Sequence, residues 1–224
     1  MKAMTEEHLA ILRRHMVDVI SIHADLSEEE LGRSKLDGRV LAAMLAVPRH
    51  RFVPAPLAPL AYQDTPLPIG FDKTVSQPFI VALMTDLLAP GQDEEVLEVG
   101  TGLGYQAAVL GQLARRVWSV EIVEEFAADA EDRLQRLGYA NVKVRMGDGS
   151  RGWQEHAPFD KILVAAAAER PPRALLDQLK PAGRLVMPIG PAEGQRLAVF
   201  DKAASGTTER RDIIPVRFGQ LETV

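Results

Sequence analysis

No cysteine occurs among the 224 residues, which excludes disulfides, thiolate nucleophiles and cysteine-held metals. Long apolar runs are missing as well. None approaches the ~20 residues that a membrane-spanning helix requires. The opening stretch, "MKAMTEEHLAILRRHMVDVI", breaks up its apolar residues with acids, arginines and histidines, unlike the continuous apolar core of a secretory signal. A cytoplasmic location is the resulting expectation. Positive charge is in deficit: 26 Lys and Arg against 31 Asp and Glu leave a net charge of −5. That balance offers no basic footprint for duplex nucleic acid or an anionic membrane, so neither is expected as a partner. Peptides and small molecules stay open, and a monomer is the default. The five histidines have no matching carboxylate cluster, so no metal site is expected.

What is present suits one soluble domain by length and by its 46% hydrophobic content. Residues 1–72 read as N-terminal helices and a proline-rich wrapping segment, 73–190 as a cofactor-binding core, and 191–224 as C-terminal strands. Leu9, Leu12, Met16, Val19 and Ile20 recur at helical spacing. "SEEE" reads as a helix start with Ser27 as its cap, and "LDGRVLAAMLAV" as a helix ended by Pro48. Six prolines between Pro48 and Pro68 then forbid long helix and suggest an extended path. His50 in that path reads as a packing residue, as do Trp118 and Trp153.

Beyond Pro90-Gly91 the rhythm changes to short apolar strands alternating with helical segments: "EEVLEVG", "GYQAAVLGQLA", "RVWSVEI", "VEEFAADAEDRLQRLG", "NVKVRMGDG", "FDKILVAAAA", "PPRALLDQL" and "GRLVMPIG". Two more strands follow around "ASGTTE". The pattern predicts a Rossmann-like, doubly wound, mostly parallel sheet of about seven strands with an N-terminal helical extension.

Chemistry concentrates at successive strand ends. "EVGTGLGYQ" sets Gly100, Gly102 and Gly104 between a strand and a helix, where open α/β sheets bind ligands. A dinucleotide fingerprint would need glycine where Tyr105 stands. Glu98 inside the strand would repel a pyrophosphate but suits an ammonium, which favours S-adenosylmethionine over NAD. Glu121 can accept hydrogen bonds from both ribose hydroxyls. Asp148, between Gly147 and Gly149, can accept one from an adenine amino group. Upstream, Ser76 precedes the helix opened by Pro78; it could be a helix cap or a hydroxyl aimed at a ligand.

With these residues in place, the chain resembles the protein-L-isoaspartate (D-aspartate) O-methyltransferases over nearly its full length. The blocks that carry the resemblance are "VPRHRFVP", "AYQDTPLPIG", "TVSQPFIVALMTDLL", "VLEVGTGLGYQAAVL", "VEI", "GDG", "APFDKILVAAAA" and "LLDQLKPAGRLVMPIG". The glycine loop alone would say only methyltransferase; the proline-rich lead-in joined to "SQP" is more specific. The resemblance implies methyl transfer from S-adenosyl-L-methionine, leaving S-adenosyl-L-homocysteine, to the α-carboxylate of L-isoaspartyl and possibly D-aspartyl residues in damaged proteins and peptides. The ester then collapses to a succinimide, which begins repair. It also implies that Ser76 is the active-site serine and that the segment from Lys73 through Thr74 and Val75 to Ser76 borders methyl donor and acceptor. Gly100, Thr101, Gly102, Leu103 and Gly104, Glu121 with Ile122, and Asp148 with Gly149 match the family's cofactor contacts. Against the family pattern, Leu103 stands where serine is frequent, Ala165 for threonine, Ala182 for the glycine of "KPGG", and "VRFGQL" for "VRFVPL". The alternatives are a related carboxyl O-methyltransferase for a small acid or modified peptide, and a non-catalytic module that only binds the cofactor.

Overall fold

The computed structural model describes residues 5–224. Helix α1 (Glu6–Leu26) begins at Thr5, whose hydroxyl accepts the His8 N–H, and buries Leu9, Met16, Ile20 and Ala24. Residues 1–4 of the expected first helix lie outside the described residues. A single turn, α2 (Glu28–Leu31), follows; Ser27 precedes it but makes no side-chain capping bond, so the expected serine cap is absent. Its backbone joins the two helices: the Ser27 N–H donates to carbonyls of α1, and its C=O accepts the Leu31 N–H of α2. Asp37 caps α3 (Gly38–Ala46) through the Arg39 N–H. Among the described residues, no helix is long and apolar enough to cross a membrane.

The proline-rich stretch is not extended throughout. It forms two 3-10 segments, Arg49–Phe52 and Ala55–Leu60, which tolerate proline because they are short and need few backbone donors. His50 Nδ1 and Tyr62 Oη, 2.7 Å apart, tie these turns together. A small antiparallel hairpin then appears that the sequence reading did not contain: β1 (Leu67–Gly70) against β2 (Lys73–Val75). Its two-residue turn holds Phe71 and Asp72 at φ 50° and 55°.

Helix α4 (Pro78–Leu88) is buried along almost its whole length. The central layer is a seven-stranded sheet made of β3 (Glu95–Val99), β4 (Arg116–Glu121), β5 (Val142–Met146), β6 (Phe159–Val164), β7 (Leu179–Ile189), β8 (Gln195–Lys202) and β9 (Thr208–Val216). Their spatial order is β5-β4-β3-β6-β7-β8-β9. The first five are parallel; β8 and β9 return antiparallel as a meander at one edge. Helices α5 (Tyr105–Gly111), α6 (Glu124–Arg136) and α7 (Arg173–Asp177) link the parallel strands. Covered on both faces, the central strands are buried along their length: residues 96–99 and 162–164 are all buried, and all but Glu98 are apolar. The chain leaves β3 toward one side and crosses to β6 on the other, so a crevice opens between their carboxyl ends, where such sheets bind ligands.

Candidate active site

A cavity of about 570 Å³ lies at that crevice, within the range of small-molecule sites. Its floor is built from strand ends: Val99 and Gly100 after β3, Val120, Glu121 and Ile122 after β4, Gly149 after β5, and Ala165 and Ala166 after β6. One wall is the hairpin region, with Ile69, Asp72, Lys73, Thr74, Ser76 and Gln77. The other is the C-terminal segment from Pro215 to Glu222.

The glycine loop takes its shape from backbone conformations closed to most side chains. Gly100, Gly102 and Gly104 have φ of 92°, 52° and 91°. Gly100 and Gly102 reach the cavity, whereas Gly104 sits behind it at the start of α5, facing Leu134 and Ala130. Glu121 locks the loop. One carboxylate oxygen accepts the Gly102 N–H at 2.7 Å and the other the Val123 N–H at 3.0 Å. Gly149 is required by close approach: a Cβ there would lie 2.2 Å from Val99 Cγ1.

Behind the floor, Glu98 is fully buried. Ser119 Oγ donates to Glu98 Oε2, and Thr101 Oγ1 lies 2.5 Å from that serine oxygen. Glu98 Oε1 has no partner. Desolvation pushes the carboxyl up to about 8; the Ser119 bond opposes this and the Glu121 charge adds to it. Asp148 does not line the cavity. Its Oδ1 accepts from Ser150 N and Oγ at 2.9 and 2.6 Å, and its Oδ2 from Val224 N at 3.3 Å. Burial raises its pKa, but these bonds and the Arg151 charge outweigh that and leave it below the usual carboxylate range.

Ser76 follows β2, where side chains alternate. Thr74 and Ser76 line the cavity, while Val75 is buried away from it. The capping alternative for Ser76 does not hold: the residue at the cap position is Gln77. The free N–H of Phe79 goes to Asp64 Oδ1 at 2.8 Å, and Asp64 Oδ2 accepts Gln77 Nε2 at 2.9 Å. Behind Ser76 the fully buried Arg49 donates from Nη2 to the Ser76 carbonyl and from Nε to that of Ala61, each at 2.8 Å. Its guanidinium also stacks 4.7 Å over Tyr105.

Thr74, Ser76, Gly100, Gly102, Glu121, Ile122 and Gly149 therefore meet in one cavity. Val75, Glu98, Thr101, Leu103, Gly104 and Asp148 stand behind it. Sequence reasoning missed Arg49 and Asp64, whereas the departing tail "VRFGQL" does lie in the C-terminal wall. The wall is fastened by Gln195, whose amide holds the backbone N–H and C=O of Phe218 at 2.6 and 2.9 Å, and by a bridge from Ala167 to Gly219 and Leu221.

The residues fit an adenosyl sulfonium. The loop leaves backbone exposed at the crevice, Glu121 presents a carboxylate in the cavity, and Glu98 keeps a buried oxygen without a partner. Fold and cavity define an S-adenosylmethionine-dependent methyltransferase. Residues 24–223 match the family model for protein-L-isoaspartate(D-aspartate) O-methyltransferase. The chain is 52% identical over 219 residues to protein-L-isoaspartate O-methyltransferase 1 of Polaromonas sp. strain JS666, covering 98% of this chain and 93% of that protein. It is 53% identical to protein-L-isoaspartate O-methyltransferase 2 of Syntrophobacter fumaroxidans, covering 93% and 85%. Among solved structures, a protein-L-isoaspartate O-methyltransferase superposes with a TM-score of 0.79 at 26% identity, over 93% of this chain and 65% of that one. A putative one from Plasmodium falciparum, in complex with S-adenosyl-L-homocysteine, shares the fold with a TM-score of 0.78 at 21% identity, over 95% and 99%.

The chain belongs to the protein-L-isoaspartate(D-aspartate) O-methyltransferase family. It methylates isoaspartyl residues of damaged proteins with S-adenosyl-L-methionine as donor.

Proposed function

We propose that Ser76 orients the acceptor α-carboxylate during methyl transfer to L-isoaspartyl, and also D-aspartyl, residues. The observation that carries this role is the placement of Ser76 on the cavity wall with α4 capped by Asp64 instead, which leaves its hydroxyl free for a ligand. Gly100, Gly102, Glu121, Ile122 and Gly149 hold the methyl donor directly. Val75, Glu98, Thr101, Leu103, Gly104 and Asp148 shape that cradle from behind, and Thr74 flanks the serine.

S-adenosyl-L-methionine supplies an electrophilic methyl group on its sulfonium when bound. The acceptor carboxylate, with an ordinary pKa of about 4, is already ionised near neutral pH, so no side chain need remove a proton. What the chain contributes is alignment and control of water. The Ser76 hydroxyl donates a hydrogen bond to one acceptor oxygen and leaves the other free to attack. Arg49, gripping the serine's own carbonyl, fixes where that hydroxyl starts from. Glu98 keeps its unpartnered oxygen in the layer behind the donor's cradle.

The enzyme works as a monomer in the cytoplasm, and its net charge of −5 offers nucleic acid no basic surface. The test is a methyl-transfer assay on paired peptides differing only in isoaspartyl or aspartyl linkage, with wild type and Ser76→Ala. Losing a donor of this kind costs about 1–3 kcal/mol once the ligand has closed the site, so turnover on the isoaspartyl peptide falls roughly fivefold to 150-fold. Affinity for S-adenosyl-L-homocysteine stays within about twofold. Undiminished turnover in the variant removes Ser76 from this role.

A further inference from the structure

The cavity has a rim where its two walls meet, and an ion pair sits there. Lys73 Nζ of the hairpin donates to Glu222 Oε1 of the C-terminal segment. Both residues line the cavity that holds Ser76. The pair joins positions 149 apart in sequence, yet neither partner is well shielded: their side chains are 31% and 55% exposed. Around Glu222 the backbone is fixed on both sides, by the Ala167 N–H···O bond to Gly219 and the Leu221 bond to Ala167, and by Asp148 and Arg151 holding Val224. A carboxylate of this chain is thus carried to the lip of a cavity whose acceptor is itself a carboxylate. Only one other cation, Arg217, lines that cavity among the described residues, against the carboxylates Asp72, Glu121 and Glu222.

Resting on the reading of Ser76 given above, we infer that Lys73 is a specificity-determining residue for the anionic acceptor and that Glu222 is its internal competitor. An ammonium has three donors and no acceptor. A half-exposed ion pair is worth little in water, so an entering carboxylate can take over the Lys73 ammonium at small cost. Glu222 holds the cation in position between turnovers and is displaced by a substrate of the same charge. A neutral side chain entering the cavity has nothing to exchange with the pair and is turned away.

The experiment measures kcat and KM with an isoaspartyl peptide for wild type, Lys73→Gln, Glu222→Gln and the double variant, with Ser76→Ala alongside. S-adenosyl-L-homocysteine binding by calorimetry checks that each cavity is intact. With the competitor gone, Glu222→Gln lowers KM about threefold to tenfold while kcat holds within about twofold. Lys73→Gln raises KM about tenfold, Lys73→Arg restores most of it, and the double variant matches Lys73→Gln because there is nothing left to compete for. If both single variants raise KM alike, the pair is only a structural latch and the inference is overturned; unchanged KM in both overturns it too. A normal Ser76→Ala turnover beside a raised Lys73→Gln KM would remove the serine's role instead, so the two readings fail separately.

Discussion

Asp64 Oδ1 accepts the Phe79 N–H at 2.8 Å, a bond across fifteen residues that starts α4 from outside the helix. The other oxygen of the same carboxylate takes the Gln77 amide at 2.9 Å and faces His23 Nδ1 at 2.7 Å. The residue after Ser76 and the third residue after it are therefore pinned to one group on a neighbouring loop. Pro78 has no N–H to contribute at the helix start, which leaves the Phe79 donor as the one in need of a partner. Replacing Asp64 by alanine removes a cap worth about 1 kcal/mol and lets the Ser76 segment drift. Thermal melts should show a loss of roughly 2–4 °C. The assay on isoaspartyl peptide should show kcat falling further than affinity for S-adenosyl-L-homocysteine.

Glu98 makes stability depend on pH. Its ordinary carboxyl value is 4.5, and in the fold burial lifts it to about 8. Between those values the unfolded chain has lost this proton while the folded chain keeps it, so stability declines as pH rises through that window. In Glu98→Gln the uncharged amide has no proton to lose. The variant should follow a flatter profile and melt above the wild type at pH 8.5, while the two lie close together at pH 5. Melting curves at matched ionic strength check this; parallel profiles would show that Glu98 is ionised in the fold.

Ala182 occupies a left-handed conformation, φ 61°, in the exposed, irregularly paired start of β7, at the position where the resembling sequences carry the second-last residue of "KPGG". A Cβ in that region costs about 1 kcal/mol relative to glycine. Ala182→Gly should therefore raise the melting temperature by roughly 2–4 °C, with methyl transfer unchanged, since this stretch is remote from the cavity.

Glu121 accepts two backbone N–H groups and still lines the cavity. Glu121→Gln keeps the size but replaces one acceptor oxygen with a donor and discards the charge. Binding of S-adenosyl-L-homocysteine should weaken about tenfold to a hundredfold, as expected for charge-assisted bonds of about 1.5–3 kcal/mol. Calorimetry reads the affinity, and circular dichroism should show the fold retained.

The parallel core was legible because burial on both faces writes itself into sequence as short, dominantly apolar runs such as "VLEV" and "ILV". The crevice residues Gly100 and Glu121 could be found for the same reason, since each closes such a run, and Gly149 follows β5 by three residues in "GDG". The hairpin of β1 and β2 could not, because Pro68 lies inside it and its turn uses Phe71 and Asp72 where glycine or asparagine normally signals positive φ. Asp64 and Arg49 act on α4 and Ser76 from thirteen to twenty-seven residues away, and nothing periodic marks such a bond. The wall from Pro215 to Glu222 depends on Ala167 and Gln195 receiving it, a matter of tertiary path alone. Ser27 misled in the opposite sense: a good capping residue in front of three acids had no free helix start to serve.

Because Pro215 to Glu222 follow every other cavity-lining residue along the chain, the second wall can form only after the rest of the lining has been made. Donor and damaged peptide alike meet a two-walled chamber only when that segment is docked beside Ala167. Closure of the site is thus a tertiary event separate from assembly of the parallel layer.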